Sequence, residues 1–540
     1  MKRRDFLKFS ATAGVATTAL PVLLGGFPLR VLGQSPLRSM LAQSAAANDN
    51  ILVIIQLAGG NDGLNMVVPY TDPLYTQYRP TLGLPSSTLL KLTDHDSLAF
   101  AKEMTGMQTL YNDKKVVLLQ NVGYPNPDLS HFRGTDIWNT ATDSGKFTNT
   151  GWIGRLLENL NPDYPPSTIP AGSHPLALQF GSSLSNMFFA ENGGMGIVIS
   201  QIPDTGSTSV HMYDPIPTPA TIPYQELDYV RTIEKETEVY SQSIVDRKVT
   251  TNKVTYPANS KLGQQLAGVA QLIASGFTTK IYLTLQGGYD THSNQATDQP
   301  ALLSDLSASI KAFQDDIEAY GLADRVAVMT YSEFGRRPLE NGGGTDHGTA
   351  APHFVISTKV INPGVRGRDP KLGQADLLNG NLMYDSQHDF RNVYATFMHE
   401  WLLEGTDADK DDMIKSVLSL SGTGQSFSTT MKWDRLGIFK ELPAGAVSDN
   451  EFSPGLMLME NYPNPAYGNT TIEYALPTAM AVELGVFTTQ GVEVERIVET
   501  RQEAGNHRVT FNAGSLPSGT YLYRLSTPKG TVTKSMVVLK

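Results

Sequence analysis

The sequence predicts an α/β domain, a mostly parallel sheet flanked by helices, followed by a small C-terminal antiparallel β-sandwich. Two patterns carry this. Short continuous apolar runs alternate with amphipathic helical stretches over about residues 49–440, the order expected of βαβ units. From about Ser453 the apolar residues switch to every second position, with Gly, Asn and Pro clusters between segments, the mark of short antiparallel strands.

The first segment, 1–44, stands outside this fold. "MKRRDFLKFS" places Lys2, Arg3, Arg4 and Lys8 ahead of the small and apolar "ATAGVATTALPVLLGG". A basic head before an apolar stretch that closes in small residues predicts an export signal and leader, not a stable transmembrane span. Its removal leaves 36 Lys and Arg against 52 Asp and Glu, so the net charge falls from -11 to -16. No basic patch stands out, which excludes nucleic acid as a partner class. Cysteine is absent, so disulfides, thiolate metal sites and Cys nucleophiles are excluded; any metal must be held by oxygen and imidazole.

Five apolar runs read as buried parallel strands: "ILVIIQL" at 51, "KVVLLQNV" at 115, "KIYLTL" at 280, "RVAVMTY" at 325 and "HFVIS" at 353. Among the helices, Leu303, Leu306, Ile310, Phe313 and Ile317 recur at three- and four-residue steps before Gly321, and "DFRNVYATFMHEWLL" behaves alike before Gly405. In the C-terminal part, 453–540, Val482, Leu484 and Val486 alternate in one strand and Tyr521, Tyr523 and Leu525 in another.

In a parallel sheet the ligand crevice lies beyond the carboxyl ends of the strands. Asp62 follows the first run in "GGNDGLN"; Ser130, His131 and Arg133 follow the second; Asp290 and His292 follow the third in "GGYDTH". Glu333 follows the fourth, and the loop behind it carries Asp346 and His347, with His353 beyond. Carboxylates with imidazoles suit Zn, Mn or Fe, and all-oxygen shells suit Mg or Ca. Two such divalent ions roughly 4 Å apart clamp the attacking and leaving oxygens of a phosphoryl-type displacement. Ser130, at a predicted helix N-cap, is the candidate nucleophile, and Arg133, one turn in, a candidate charged clamp.

Each residue also has a plainer reading. Asp62 fits a tight turn, Asp290 and His292 a helix cap, Ser130 a cap alone. Asp346 and His347 fit turn chemistry with a solvated imidazole, Glu333 an ion pair with Arg336 or Arg337, and His353 a buried hydrogen-bonded side chain. His399 and Glu400 read as structural; His131, His388 and Asp389 are left open.

These residues carry two family resemblances. The stretch 50–405, through "LAGGNDGLNMVVPY", "VGYPNPDLSHFRGTDIW", "GGYDTHSNQ" and "DRVAVMTYSEFGRRPLENGGGTDHGTAAPHFVI", resembles the DUF1501 family, related in fold to the alkaline phosphatase and sulfatase superfamily. The C-terminal part, through "NYPNP", "TTIEYALP" and "LPSGTYLYRL", resembles the type A sorting domain of the type IX (Por) secretion system. The N-terminus resembles a twin-arginine signal.

The first resemblance implies an alkaline-phosphatase-like fold with two metal ions. Asp62, Asp346 and His347 would hold one beside Ser130; Asp290, His292 and His353 would hold the other. Thr135 or Thr291 could replace Ser130. Asp290 and His292 stand closer than the superfamily spacing, and Glu333, which has no place in that pattern, reads as an extra ligand or a partner to one. No Cys/Ser-x-Pro-x-Arg stretch is present, which argues against a formylglycine sulfatase. The expected activity is an exported metal-dependent hydrolase of phosphate-type or related esters, small or polymeric, with export machinery as partner at both termini. The alternatives are a non-catalytic surface protein on the same scaffold, binding a ligand or an envelope polymer, and a domain stiffened by structural metal.

Overall fold

The computed structural model describes residues 46–164, 170–202, 231, 236–246, 251–374, 376–418, 434–441 and 456–540; the predicted export signal lies outside them.

The central sheet has eight strands. In chain order they are β1 (Ile51–Ala58), β2 (Val116–Val122), β3 (Ala177–Phe180), β4 (Ile197–Ile199), β5 (Ile281–Gly287), β6 (Val326–Tyr331), β9 (Ala351–Ile356) and β10 (Gly364–Arg366). A hairpin, β7 (Arg336–Glu340) and β8 (Thr345–His347), interrupts the sequence between β6 and β9. Across the sheet the order is β4-β3-β5-β1-β6-β9-β2-β10. All neighbours are parallel except at β9, which runs antiparallel to both β6 and β2. The strand expected to be parallel at "HFVIS" is antiparallel to both of its neighbours. The connection from β6 contains only the hairpin, whereas a parallel return needs a crossover of a dozen residues or more, usually a helix.

Strand alternation divides the apolar side chains between two cores. Leu52, Ile54, Val117, Leu119 and Leu283 face one side, where they meet α2 (His131–Thr140), α3 (Trp152–Leu160), α6 (Phe390–Thr396) and α7 (Asp407–Leu418). Ile51, Val53, Ile55, Val116 and Leu118 face the other and meet α1 (Thr105–Asn112), α4 (Lys261–Ala274) and α5 (Gln295–Ala319). Leu303, Leu306, Ile310, Phe313 and Ile317 are all buried along α5, as a helix with one apolar stripe must place them. Burial on both faces explains why the strands read as continuous apolar runs.

The C-terminal part is a two-sheet antiparallel sandwich. Strands β11 (Asn469–Leu476) and β14 (Gly505–Asn512) pair in one sheet with the short strand Met457–Leu458. In the other, β12 (Met480–Thr488) and β15 (Gly519–Thr527) pair centrally, with β13 (Glu493–Gln502) and β16 (Gly530–Val538) at the edges. Val482, Leu484, Val486, Tyr521, Tyr523 and Leu525 all point into its core. The sandwich also packs on the α/β domain: Met457, Met459 and Ala475 share an apolar cluster with Leu372, Leu377, Leu378 and Tyr384. The Leu458 amide donates to Asn126 Oδ1 at 2.6 Å. No helix among the described residues is long and apolar enough to cross a membrane.

Candidate functional site

The carboxyl ends of β1, β2, β5 and β6 lie along one edge of the sheet, and the loops behind them supply the site. Close approach of these loops depends on glycine. A Cβ on Gly59, at φ +122°, would stand 2.3 Å from the Asp290 amide nitrogen, and one on Gly344 would stand 2.1 Å from the Thr291 carbonyl oxygen. Arg336 ties the loops together. Its side chain is fully buried and donates to the carbonyls of Gly60 at 2.7 Å, Gly59 at 2.6 Å and Thr345 at 2.6 Å, and to Asp290 Oδ1 at 2.7 Å.

Three imidazoles converge on Asp290. His292 Nε2 and His347 Nε2 are 2.9 Å apart, and Asp290 Oδ1 is 3.3 Å from the first and 3.4 Å from the second. His131 Nε2 lies 3.4 Å from Asp290 Oδ2 and makes no hydrogen bond among the described residues, although it is buried. Each ring's other nitrogen faces an acceptor. His131 Nδ1 is 2.8 Å from Glu333 Oε1, His347 Nδ1 is 2.7 Å from the Leu129 carbonyl, and His292 Nδ1 is 3.4 Å from Asp346 Oδ1. A proton placed on each Nδ1 leaves three bare Nε2 atoms around one carboxylate, the tautomer that metal-binding histidines require.

The spacing can be tested against an ion. Ligands about 2.0–2.1 Å from a tetrahedral Zn²⁺ stand about 3.3 Å from each other. The triangle of His292, His347 and Asp290 has sides of 2.9, 3.3 and 3.4 Å, so the donor set fits one divalent cation. His131, Asp290 and His347 also offer ligand atoms that all lie within 4.8 Å of one another.

The electrostatics agree with a preformed anionic ligand. Partial burial works to raise the Asp290 carboxyl, but the hydrogen bond and charge of Arg336 oppose it, and the carboxyl is held down at about 2. His347 is held below its usual range, first by burial and then by the Arg336 cation, against the pull of the Leu129 carbonyl. Asp346 is lowered chiefly by the Asn341 amide that donates to it.

The expected residues do not all gather here. Asp290, His292, Glu333, Asp346 and His347 meet, and Glu333 acts on His131 and the Gly59 amide, 2.9 Å away, rather than on Arg336 or Arg337. Asp62 is turned into the interior. Arg79 grips both its oxygens at 2.6 and 2.9 Å, Gln295 donates to it, and it caps the short turn Gly63–Met66 through the Leu64 amide. Those four hydrogen bonds together occupy the lone pairs a metal would need, and the geometry is that of a tight turn. His353 is buried on β9, its Nδ1 2.9 Å from the Thr330 carbonyl and its ring 5.1 Å from Trp138. Burial, opposed by that carbonyl, brings it down to about 4.

Ser130 is the exposed N-cap of α2, with no capping hydrogen bond from its side chain, between Leu129 and His131 of the site. Arg133 turns to the neighbouring loop, pairing with Asp136 and donating to the Ser144 carbonyl at 3.0 Å and to that of Lys146. Those bonds engage both of its terminal nitrogens within the protein. His131 was left open by the sequence, although its place directly after Ser130 at a strand-to-helix turn is the signal that could have found it. Of the other open residues, buried His388 meets the Gln120 carbonyl at 2.6 Å, and Asp389 pairs with Arg391.

The fold and the cluster define an α/β protein with a histidine- and carboxylate-lined crevice at the carboxyl edge of its sheet. Residues 230–408 match the family of proteins of unknown function DUF1501, a shorter stretch than the 50–405 of the sequence resemblance; Asp290, His292, Glu333, Asp346 and His347 fall inside it and His131 before it. Residues 460–539 match the secretion system C-terminal sorting domain, so the chain is one exported to the cell surface or the extracellular space. Comparison with curated proteins gives no match. Among solved structures, the lipoteichoic acid synthase LtaP from Listeria monocytogenes is similar at 10% identity, over 61% of this chain and 72% of that one, with a TM-score of 0.28. The PsFucS1 sulfatase from Pseudoalteromonas sp. is similar at 9% identity, over 89% and 88%, with a TM-score of 0.30. PorZ, a surface component of the type IX secretion system of Porphyromonas gingivalis, matches at 22% identity over 16% of this chain and only 12% of its own length, with a TM-score of 0.12.

Proposed function

We propose that this protein is an exported metal-dependent hydrolase of phosphate-type or related esters, with its centre at His131, His292, His347 and Asp290. The observation that carries the reading is the orientation of the three imidazoles: each Nδ1 faces an acceptor and each Nε2 faces the same carboxylate. Open imidazole and carboxylate donors with room beside them are the pattern of a catalytic rather than a closed structural site.

His131, His292, His347 and Asp290 would hold a divalent cation, which would supply Lewis-acid polarisation of the ester and lower the pKa of a bound nucleophile. The chain's own residues do the rest. Glu333 fixes the tautomer and ring plane of His131, the Leu129 carbonyl does so for His347, and Asp346 for His292. Arg336 holds the Asp290 carboxylate ionised and in place. Ser130 is exposed directly before His131, at the start of a ten-residue helix whose first N–H groups favour an anionic ester. The proposal takes one centre, because Asp62 and His353 are engaged elsewhere.

The test is elemental analysis of the purified protein, wild type and His347→Ala, run with p-nitrophenyl phosphate, bis-p-nitrophenyl phosphate and p-nitrophenyl acetate. The reading predicts bound transition metal and turnover of at least one ester, both lost in the variant. Metal-free protein without turnover, or stoichiometric calcium without turnover, would overturn it.

A further inference from the structure

The two most exposed large apolar side chains among the described residues are Phe132, 91% exposed, and Phe147, 79% exposed. Both flank the start of α2. Phe132 follows His131 directly, and the Arg133 guanidinium lies 3.9 Å over the ring of Phe147. Leaving a phenylalanine in water forgoes its burial, and Phe132 is left so on the lining of a crevice.

That crevice is a cleft of about 540 Å³. One wall is Phe132, Thr135, Asp136 and Asn186, and the other side is His131, Asp290 and Glu333 of the proposed centre. The polar part of the wall is built from the core outward. The Tyr331 hydroxyl donates to Asn139 Oδ1 at 2.9 Å, Asn139 Nδ2 to Asn186 Oδ1 at 2.8 Å, and Asn186 Nδ2 to Asp136 Oδ1 at 2.8 Å. Arg133 holds the other Asp136 oxygen. Asp136 and Asn186 therefore present polar atoms at fixed positions, where a ligand binds without first ordering them.

The charge of the cleft narrows what fits. Asp136, Asp290 and Glu333 line it and no Lys or Arg does, in a chain of net charge -11. With no Lys or Arg on its lining, the cleft itself offers no cation to pair with an anionic lipid surface. An open aromatic face beside fixed amide and carboxylate groups suits a ring with C–H faces and hydroxyl edges. We infer that this wall is a subsite for a neutral sugar ring, stacked on Phe132 with its hydroxyls on Asp136, Asn186 and Thr135. The hydrolase reading is needed only to say what the subsite serves: it would seat the sugar part of the ester next to the reacting group.

Sugar binding needs no cation, so the two readings can be separated. The probes are hexasaccharides of β-1,4-glucose, α-1,4-glucose, β-1,4-N-acetylglucosamine and α-1,6-mannose, titrated calorimetrically in chelator against the full mature chain. The expected result is that wild type and His347→Ala bind one of them alike. Phe132→Ala and Asp136→Asn should bind it at least about tenfold more weakly, the loss of one aromatic or hydrogen-bonding contact of ordinary worth. Phe132 is solvent-exposed, so its replacement leaves the fold in place. No binding by the wild type, or equal binding by Phe132→Ala, would overturn the subsite. So would Phe132-dependent binding of phosphatidylcholine vesicles with no sugar retained.

Discussion

Replacing Arg79 with Met removes one half of a fully buried ion pair. Both side chains are 0% exposed. Besides its two bonds to Asp62, Arg79 donates to Asn65 Oδ1 at 2.7 Å, to the Pro338 carbonyl at 2.9 Å and to the Arg337 carbonyl at 3.0 Å. Its loss strands a carboxylate in the interior and frees the β7 hairpin strand from the segment after β1. Breaking a buried pair from one side costs about 3–5 kcal/mol, whereas replacing both charges together can be nearly neutral. Arg79→Met should therefore be destabilised by about that amount, and Arg79→Met with Asp62→Asn by clearly less. Guanidinium unfolding followed by tryptophan fluorescence reads this directly, because the four tryptophans, at 138, 152, 401 and 433, all precede the sandwich. Asp62→Asn alone should lose stability and leave the metal content of the proposed centre unchanged. If it instead keeps its stability and loses metal, Asp62 is a ligand and the assignment of its role here is wrong.

Three further outcomes follow from the same geometry. Glu333→Gln weakens the orientation of His131 and should lower metal affinity about 10–100-fold, measured by competition with a chromophoric chelator; unchanged affinity would mean that Glu333 serves the Gly59 amide alone. Buried His353 sits at about 4 against an ordinary 6.5, so on acidification the unfolded chain takes up a proton that the folded one refuses. Its contribution is fully present above about 6.5 and is lost as pH falls toward 4, a loss of about 2–3 kcal/mol by about pH 4.5. His353→Gln should show a smaller drop in unfolding midpoint between about pH 7 and about pH 4.5 than wild type; an equal drop would locate the effect elsewhere. Leu378→Asp puts a charge into the cluster joining the sandwich to the α/β domain and should speed amide exchange across 372–384, whereas unaltered exchange would show that this contact does not hold the two together.

Much of the fold was legible because its signals are local. A strand covered on both faces is apolar throughout, and Leu303 to Ile317 mark a helix stripe without reference to any partner. The direction of β9 was not legible, since an apolar run looks the same in either sense; only the missing crossover helix before Phe354 carried that information. The site was half legible. Asp290, His292, Asp346 and His347 announce themselves by type and by their place after strand ends. Asp62 occupies an equivalent place after β1, and what diverts it is Arg79, a residue whose pairing no local pattern encodes. His131 carries only one local signal, its place directly after Ser130 at a strand-to-helix turn, because the Glu333 contact that orients it spans 202 residues. Arg336 was legible only as an ion-pair candidate, although its buried guanidinium joins the loops after β1 and β5 to the hairpin.

The most direct test is an anomalous-difference map from a crystal of residues 45–540, recorded at the absorption edge of any metal that a fluorescence scan identifies. A single peak bounded by the Nε2 atoms of His131, His292 and His347 and the carboxylate of Asp290 is the predicted result. A peak at Asp62 or His353, or none in a protein that turns over esters, would contradict it.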